Sequence, residues 1–220
     1  MLKRNNDQSF VAFNPININR NQISFSNQAE HVGVIRSCDG NIPNLMNRFA
    51  AHRGSIAAKL FTGTARSHRG NLAASLKIEK LYAAPVLFSG LASLVLSKTE
   101  VNLIDQHYMN TLRALIKCHS GTPQPFVLFL SGSLPGKAVL HLRQLSLFSM
   151  VTRLPKNPLF TRAKHILTTG SQSSKSWFWD IRDICLQYGL PHPLTLMENP
   201  LTKETFKRLV KSHVTDFWEK

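Results

Sequence analysis

The chain has 220 residues, enough for one domain or two small ones, and its 43% hydrophobic content is typical of a folded protein rather than a disordered tail. It carries 27 Lys and Arg against 12 Asp and Glu, a formal net charge of +15 that is spread along the whole sequence. Such a charge favours polyanionic partners over cationic surfaces, so nucleic acid is the first functional expectation.

The cysteines and the hydropathy pattern indicate the compartment. Cys38, Cys118 and Cys185 are too far apart to form a paired zinc motif, and their odd number predicts a reducing environment. The N-terminal segment lacks the apolar core of a secretory signal. The longest uncharged stretch, residues 81–97, is shorter than a membrane-spanning helix and contains a proline and a glycine. We therefore expect an intracellular protein, nuclear or cytoplasmic.

The first 40 residues are polar and rich in Asn, with short alternating apolar pieces. The β-branched segment 31–35 follows residues 23–26 across a short polar link, which predicts a β-hairpin ending near Gly40. After Gly40 the apolar spacing becomes helical. We expect residues 1–40 to form a polar N-terminus and this hairpin.

The next segment, residues 42–60, repeats apolar residues at helical spacing, with Asn41 available as a cap. The opposite face is expected to carry Arg48, His52 and Lys59. A basic connector over residues 62–70 leads to a second helix, which Pro85 should kink or end.

The clearest helix begins at Ser97, where Ser-Lys-Thr-Glu forms a capping box, and it extends to Ile116. Residues 41–120 are therefore predicted to be a helical bundle. Another apolar helix follows Pro135 within a helical extension over residues 126–170. A Ser-rich link at 171–176 is the predicted domain boundary, and amphipathic helices, the last capped by Thr202, fill residues 171–220.

Several sequence blocks in a fixed order carry a family resemblance. They are Ala-Glu-His-Val-Gly-Val at residues 29–34, Asn-Arg-Phe-Ala-Ala at 47–51, the Pro/Gly stretch 81–91, Leu-Arg-Ala-Leu-Ile at 112–116, and the block 134–155. This order resembles the downstream end of LINE-type (non-LTR retrotransposon) reverse transcriptases over roughly residues 23 to 218. Phe88-Ser89-Gly90 departs from the more usual Tyr-Gly arrangement, so no tyrosine role is carried over there.

The resemblance implies a mostly α fold: a small N-terminal β-hairpin at the end of a palm, a thumb-like helical bundle, and a helical C-terminal extension. It implies a primer-grip-like role for His31, Val32, Gly33 and Val34. The thumb embraces the duplex of template and primer, so the implied partner is an RNA–DNA hybrid or other nucleic acid.

A basic set on and after the first helix fits that partner through sequence-independent phosphate contacts. The predicted nucleic-acid-binding residues are Arg48, His52, Arg53, Lys59, Arg66 and Arg69. The alternative for each of them is an ordinary solvated face of an amphipathic helix. The net charge favours the binding interpretation for the set.

Polymerase chemistry needs carboxylates that hold two divalent metals, which the family supplies from an Asp-Asp pair and an upstream Asp in the palm. This chain has no adjacent acidic pair. We therefore predict no catalytic residues, no metal site and no cofactor in the chain, although the complete polymerase would need Mg²⁺. The chain should be inactive alone, and the missing palm and fingers are a further expected partner.

Two alternatives remain open. A basic helical interaction protein would leave apolar patches exposed for a partner protein. A protein docking on anionic membrane would use the basic face of the last helix, formed by Lys203, Lys207, Arg208 and Lys211. Binding to a nucleic-acid duplex would favour the reverse-transcriptase interpretation over both alternatives.

Overall fold

The computed structural model describes residues 40–61, 72–155, 157–169 and 176–218, together with four short strands between residues 16 and 37. These residues are mostly helical, which confirms the predicted fold class at that level. The chain divides into two units, Met1–Asn47 and Arg48–Lys220.

The first unit contains two antiparallel strand pairs. β1 (Ile16–Ile18) pairs with β2 (Asn21–Ile23), and β3 (Gln28–His31) pairs with β4 (Val34–Ser37). The segment 31–35, expected to be one strand, therefore belongs to two: His31 ends β3 and Val34 begins β4. Ile23 pairs with Ile16 and not with the segment 31–35, so the predicted pairing is wrong at Ile23, while residues 24–26 lie outside the described residues.

The helices follow in chain order. They are α1 (Ile42–Phe61), α2 (Leu72–Ile78), a π turn (Glu79–Ala83), α3 (Ala84–Phe88), a 3₁₀ turn (Leu91–Ser93), α4 (Lys98–Ile116), α5 (Gln124–Ser131), α6 (Gly136–Thr152), α7 (Pro158–Thr169), α8 (Trp177–Gln187), α9 (Pro193–Glu198) and α10 (Lys203–Trp218). Helix α5 has no counterpart in the sequence prediction. Pro125 in its first turn and Gly132 just after its end, with φ +55°, are the signals that mark it.

Local capping chemistry explains where two of these helices begin. Ser97 Oγ accepts from the Glu100 N–H at 3.2 Å, and Glu100 Oε2 accepts from the Ser97 N–H at 2.7 Å, so the predicted capping box is confirmed. Thr202 Oγ1 accepts from the Thr205 N–H at 3.3 Å at the start of α10, which confirms the predicted cap.

The π turn shows how the chain accommodates Pro85. Proline has no N–H for the carbonyl oxygen four residues back, and its ring crowds that carbonyl. The preceding Ala84 N–H bonds instead to the Glu79 carbonyl oxygen, five residues back, which widens the helix by one residue. The predicted interruption at Pro85 is confirmed, and it places the Glu79 and Lys80 side chains in positions that a regular helix would not give them.

Helix α6 is the central element of the second unit, because it packs against α4, α7, α8 and α10. Leu145 and Phe148 are fully buried in a core that also contains Ala163 of α7, Ile181 of α8 and Val214 of α10. The elements before and after residues 171–176 thus share one hydrophobic core. The predicted domain boundary at this Ser-rich link does not separate two cores.

Among the described residues, no single helix is long and apolar enough to cross a membrane. Helices α5 and α6 reach the necessary length and hydropathy only together, as a pair bent by 61°.

Candidate nucleic-acid interface

Helix α1 presents two of the predicted cations to solvent. The Arg53 and Lys59 side chains are exposed, and Arg48 is half-buried. The Lys59 ammonium lies 4.9 Å from the ring centroid of Tyr82, which is itself half-exposed. At that distance the aromatic ring attracts the ammonium and restricts its position.

The third member of this predicted face, His52, lies elsewhere. Its side chain is fully buried, so its expected place on the exposed face is wrong. The reason is helical geometry: His52 is three residues after Phe49 and four before Ile56, which puts it within the apolar stripe of α1. The sequence pattern placed His52 on the polar face because histidine counts as a polar residue.

His52 belongs to a buried polar cluster with His107, Glu79 and Tyr108. Its Nδ1 lies 3.0 Å from His107 Nε2, and its Nε2 lies 3.8 Å from Glu79 Oε1. Tyr108 donates its hydroxyl proton to Glu79 Oε2 at 3.4 Å. The Phe49 ring stacks on His107 with centroids 4.1 Å apart. The cluster joins α1, the π turn and α4.

The electrostatics of the cluster follow from its burial. Burial, followed by the neighbouring charges of His52 and Arg53, lowers the pKa of His107 from 6.5 to about 4. Burial and the Glu79 carboxylate raise the pKa of Tyr108. Neutral His107 can share one proton with His52, whereas two protonated rings would repel each other at this distance. We interpret the cluster as a polar contact that holds α1 on α4.

The remaining predicted site residues fall outside this geometry. Arg66, Arg69, Val32 and Gly33 lie outside the described residues. His31 and Val34 are paired with each other at the end of the β3–β4 register. The predicted basic set is thus represented in the described helices by Arg48, Arg53 and Lys59 only.

Few of the described cations are neutralised by a carboxylate. Between described residues, the one Lys or Arg ion pair at 4.0 Å or less is Arg182 with Asp183, at 2.8 Å. These two residues are neighbours in sequence, and the Arg182 guanidinium also stacks over the Trp179 ring at 4.2 Å. Arg53 and Lys59 thus have no carboxylate partner within 4.0 Å among the described residues.

A second basic surface, which the sequence did not reveal, is an open groove of about 1050 Å³ in the second unit. The π turn, α3, α4, α5, α6, α10 and the loop between α5 and α6 all contribute to its walls. The polar and aromatic side chains that line it include Lys80, Asp105, Tyr108, Gln124, Phe129, Arg143, Lys211 and Trp218.

Three cations and one carboxylate face the groove. The Lys80 ammonium donates to the carbonyl oxygens of Ser131 and Gly132 at 3.1 and 2.8 Å, which fixes it at the wall. The carboxylate, Asp105, accepts from the Lys137 N–H at 3.0 Å and from Gln124 at 3.4 Å. Asp105 therefore holds the start of α6, and none of the three groove cations has a carboxylate within 4.0 Å among the described residues.

Arg143 is the most informative of these cations. Its guanidinium lies 5.5 Å from the ring centroid of buried Phe88, and burial lowers its pKa. It forms no ion pair with any carboxylate of the described residues. Arg143 lies among the mostly apolar residues of α6, and this is the feature of the sequence that could have indicated the groove.

Trp218 and Phe129 are the aromatic residues at the edge of the groove. The Trp218 indole N–H donates to the Tyr188 hydroxyl at 3.2 Å, which fixes the ring at the end of α10. The Phe129 ring on α5 is 83% exposed. A solvent-exposed phenyl ring lies beside cations that have no carboxylate partner among the described residues. The groove can therefore make both apolar and electrostatic contacts with a ligand.

The described acidic residues do not converge. Nowhere in residues 40–61, 72–155, 157–169 and 176–218 do three His, Cys, Asp or Glu side chains come together in a group that could hold a metal ion. Asp180 and Asp183 lie one turn apart on α8, and burial, then the charge of Asp183, raise the pKa of Asp180 to about 6.

Comparison of the sequence with protein-family models and with curated proteins finds no match, and comparison of the fold with solved structures finds none either.

Proposed function

We propose that the chain holds a template–primer duplex, an RNA–DNA hybrid, through sequence-independent phosphate contacts, as the thumb region of a non-LTR retrotransposon reverse transcriptase does. The observation that carries this proposal is the excess of basic over acidic residues. Basic residues exceed acidic ones by 27 to 12, and one Lys or Arg ion pair joins described residues. Such a surface binds polyanions by releasing their counterions.

Helix α1 supports the proposal most directly. Arg53 and Lys59 are exposed and separated by six residues, about 9 Å along the helix axis. Cations on one helix can contact phosphates without reading bases. The buried contacts of Phe49 and His52 hold this helix against α4, so its cations have a fixed support.

Fluorescence anisotropy with a labelled RNA–DNA hybrid tests the proposal. We expect the logarithm of the binding constant to fall linearly with the logarithm of salt concentration, with a slope of about −0.9 for each phosphate neutralised. Absent binding, or binding that salt does not weaken, would contradict the proposed role.

Charge-removing variants locate the contact surface. Arg53→Gln and Lys59→Gln should each weaken hybrid binding and make the salt slope shallower by about one unit. Lys164→Gln on α7 is the matched control, because Lys164 is exposed and lies outside both basic surfaces. If the control changes the slope as much as the α1 variants do, the contacts do not lie on α1.

A primer-extension assay addresses chemistry separately. The proposed role gives duplex binding without nucleotide addition, because the sequence has no adjacent acidic pair to hold two metals. Extension of the labelled primer by the purified chain in Mg²⁺ would show that this part of the proposal is wrong.

A further inference from the structure

We infer that the groove lined by α4, α5, α6 and α10 binds single-stranded nucleic acid. This site is distinct from the cations of α1 and does not depend on the proposed duplex-holding role. The residues that carry the inference are Lys80, Arg143, Lys211, Phe129 and Trp218.

The first argument is charge complementarity. The groove has three cations against Asp105, whose two oxygens are both engaged by hydrogen bonds within the protein. Arg143 is partly buried and lacks a carboxylate partner among the described residues. Keeping a cation out of water without a partner is costly, and a phosphate in the groove would remove that cost.

The second argument is the pair of aromatic rings. Phe129 is 83% exposed beside the cations, whereas Val127 on the opposite side of α5 is fully buried. Trp218 is oriented by its hydrogen bond to Tyr188 and is 36% exposed. Cations that follow a backbone together with rings on which bases stack are the recurring elements of single-strand binding sites.

The same arrangement disfavours a duplex in this groove. The bases of a duplex are stacked on each other and present only their edges, so they cannot stack on Phe129 or Trp218. In a single strand every base has a free face. Because no base-edge reader is needed for stacking, the binding should tolerate many sequences, in RNA and in DNA.

Size is consistent with a chain-like ligand. The groove volume of about 1050 Å³ is at the upper end of pockets that enclose a small molecule, which span about 300 to 1,000 Å³. Lys80 and Lys211 both line the groove, although they belong to elements that are distant in sequence, the π turn and α10. A ligand that contacts both cations extends over more than one element of the groove.

The test uses the full chain and fluorescein-labelled oligouridine and oligothymidine, with binding followed by anisotropy. We expect both strands to bind, with a salt slope of about −0.7 for each phosphate contacted. Oligouridine alone binding would identify RNA as the ligand, and oligothymidine alone would identify DNA. Neither strand binding would overturn the inference.

The aromatic contact is tested by two variants on one helix. Phe129→Ala should weaken single-strand binding about tenfold, which is the range expected when the aromatic side chain under one stacked base is removed. Phe126→Ala is the control, since Phe126 is 52% exposed on α5 but does not line the groove. Equal effects of the two substitutions, or no effect of the first, would overturn the stacking role. Far-ultraviolet circular dichroism verifies that both variants fold.

The cationic contact is tested on α10. Lys211→Gln should make the single-strand salt slope shallower by about 0.7, whereas Lys207→Gln, one turn earlier and outside the groove, should leave it unchanged. The same two variants are then measured with the RNA–DNA hybrid. If Lys211→Gln weakens hybrid binding as much as single-strand binding, the groove is a duplex site and the inference is wrong.

Two further results separate the possibilities. An acidic peptide that displaces the oligonucleotide from the wild-type chain but not from Phe129→Ala would identify a protein ligand and overturn the inference. Loss of hybrid binding in Arg53→Gln, with single-strand binding retained, supports two independent surfaces. A chain that binds single strands but no hybrid would contradict the proposed duplex role and leave the groove inference standing.

Discussion

Acidification should destabilise the fold through two histidines whose pKa is lowered to about 4, His107 of α4 and His141 of α6, and His141 is the more deeply buried of the two. Its side chain is 6% exposed, and its Nδ1 lies 2.9 Å from the Tyr188 hydroxyl. The same hydroxyl accepts the Trp218 indole proton, so the arrangement that satisfies all three groups has Tyr188 donating to an unprotonated His141 nitrogen. Protonation of that nitrogen removes the acceptor of Tyr188.

The size of the loss in stability follows from the lowered pKa of His141. Burial, and to a smaller extent the charge of Lys137, lower the pKa of His141 from 6.5 to about 4. Between these two values the unfolded chain binds a proton that the folded chain does not, so the free energy of unfolding falls as pH falls through this window. From pH 7 to pH 5 the loss from this one site is about 2 kcal/mol. Below pH 4 the contribution becomes constant.

Urea denaturation followed by far-ultraviolet circular dichroism at pH 7 and at pH 5 measures this loss. His141→Asn places a non-titrating amide near the Nδ1 position, where it can still pair with the Tyr188 hydroxyl. The variant should lose about 2 kcal/mol less than the wild-type chain between the two pH values. His165→Asn on α7 is the control, because that histidine is exposed in the folded state.

Only the difference between the variant and the wild-type chain tests this reasoning, since other groups titrate in the same range. Burial and Asp183 raise the pKa of Asp180 from 3.8 to about 6, so its stabilising effect is present at low pH and is lost as pH rises through 6. That sign is opposite to the sign of His141. Equal losses in the wild-type chain and in His141→Asn would refute the assignment.

Four further substitutions test the packing and one helix cap, each by chemical denaturation. Phe148→Ala removes a fully buried ring and should cost about 3–5 kcal/mol, whereas Leu186→Ala, at a side chain 79% exposed, should stay within about 0.5 kcal/mol. Ser97→Ala removes the capping box and should cost about 1 kcal/mol. Gly136→Ala places a Cβ 3.0 Å from that of Tyr108 and should cost about 1–3 kcal/mol; unchanged stability would show that α4 and α6 separate easily.

The sequence was sufficient where a structure depends on neighbours in the chain. The Ser97–Glu100 capping box, the Thr202 cap and the interruption at Pro85 each arise from residues within one or two turns, and each is confirmed. The buried character of α6 was also predictable, because its apolar residues are too numerous for one face.

The sequence was insufficient where a structure depends on contacts between distant elements. His52 meets His107 across 55 residues, and the spacing that places His52 in the apolar stripe of α1 does not reveal this partner. The groove places Lys80 near residues of α10 and so joins parts of the chain more than a hundred residues apart. The helix α5 was missed because a run of eight residues is too short for helical periodicity to be recognised.

The packing of α10 bears on the choice between nucleic acid and membrane. A helix that docks on a bilayer inserts its apolar face among the lipids. On α10 that face, with Phe206, Val210 and Val214, is buried in the protein core, and the bond from Trp218 to Tyr188 holds its end. Membrane insertion would require the helix to leave that core.

The basic side of α10 needs no such rearrangement. Lys203, Lys207, Arg208 and Lys211 are exposed in the folded state, so they offer charge while the apolar face of α10 stays buried at Phe206, Val210 and Val214. Charge alone contributes about 1 kcal/mol per basic residue at an anionic bilayer, and the same charge serves a phosphate backbone equally well. What α10 adds beyond charge is the partly exposed Trp218 ring at the groove, on which a base can stack. The docked helix therefore favours a nucleic acid over a membrane as the partner of this surface.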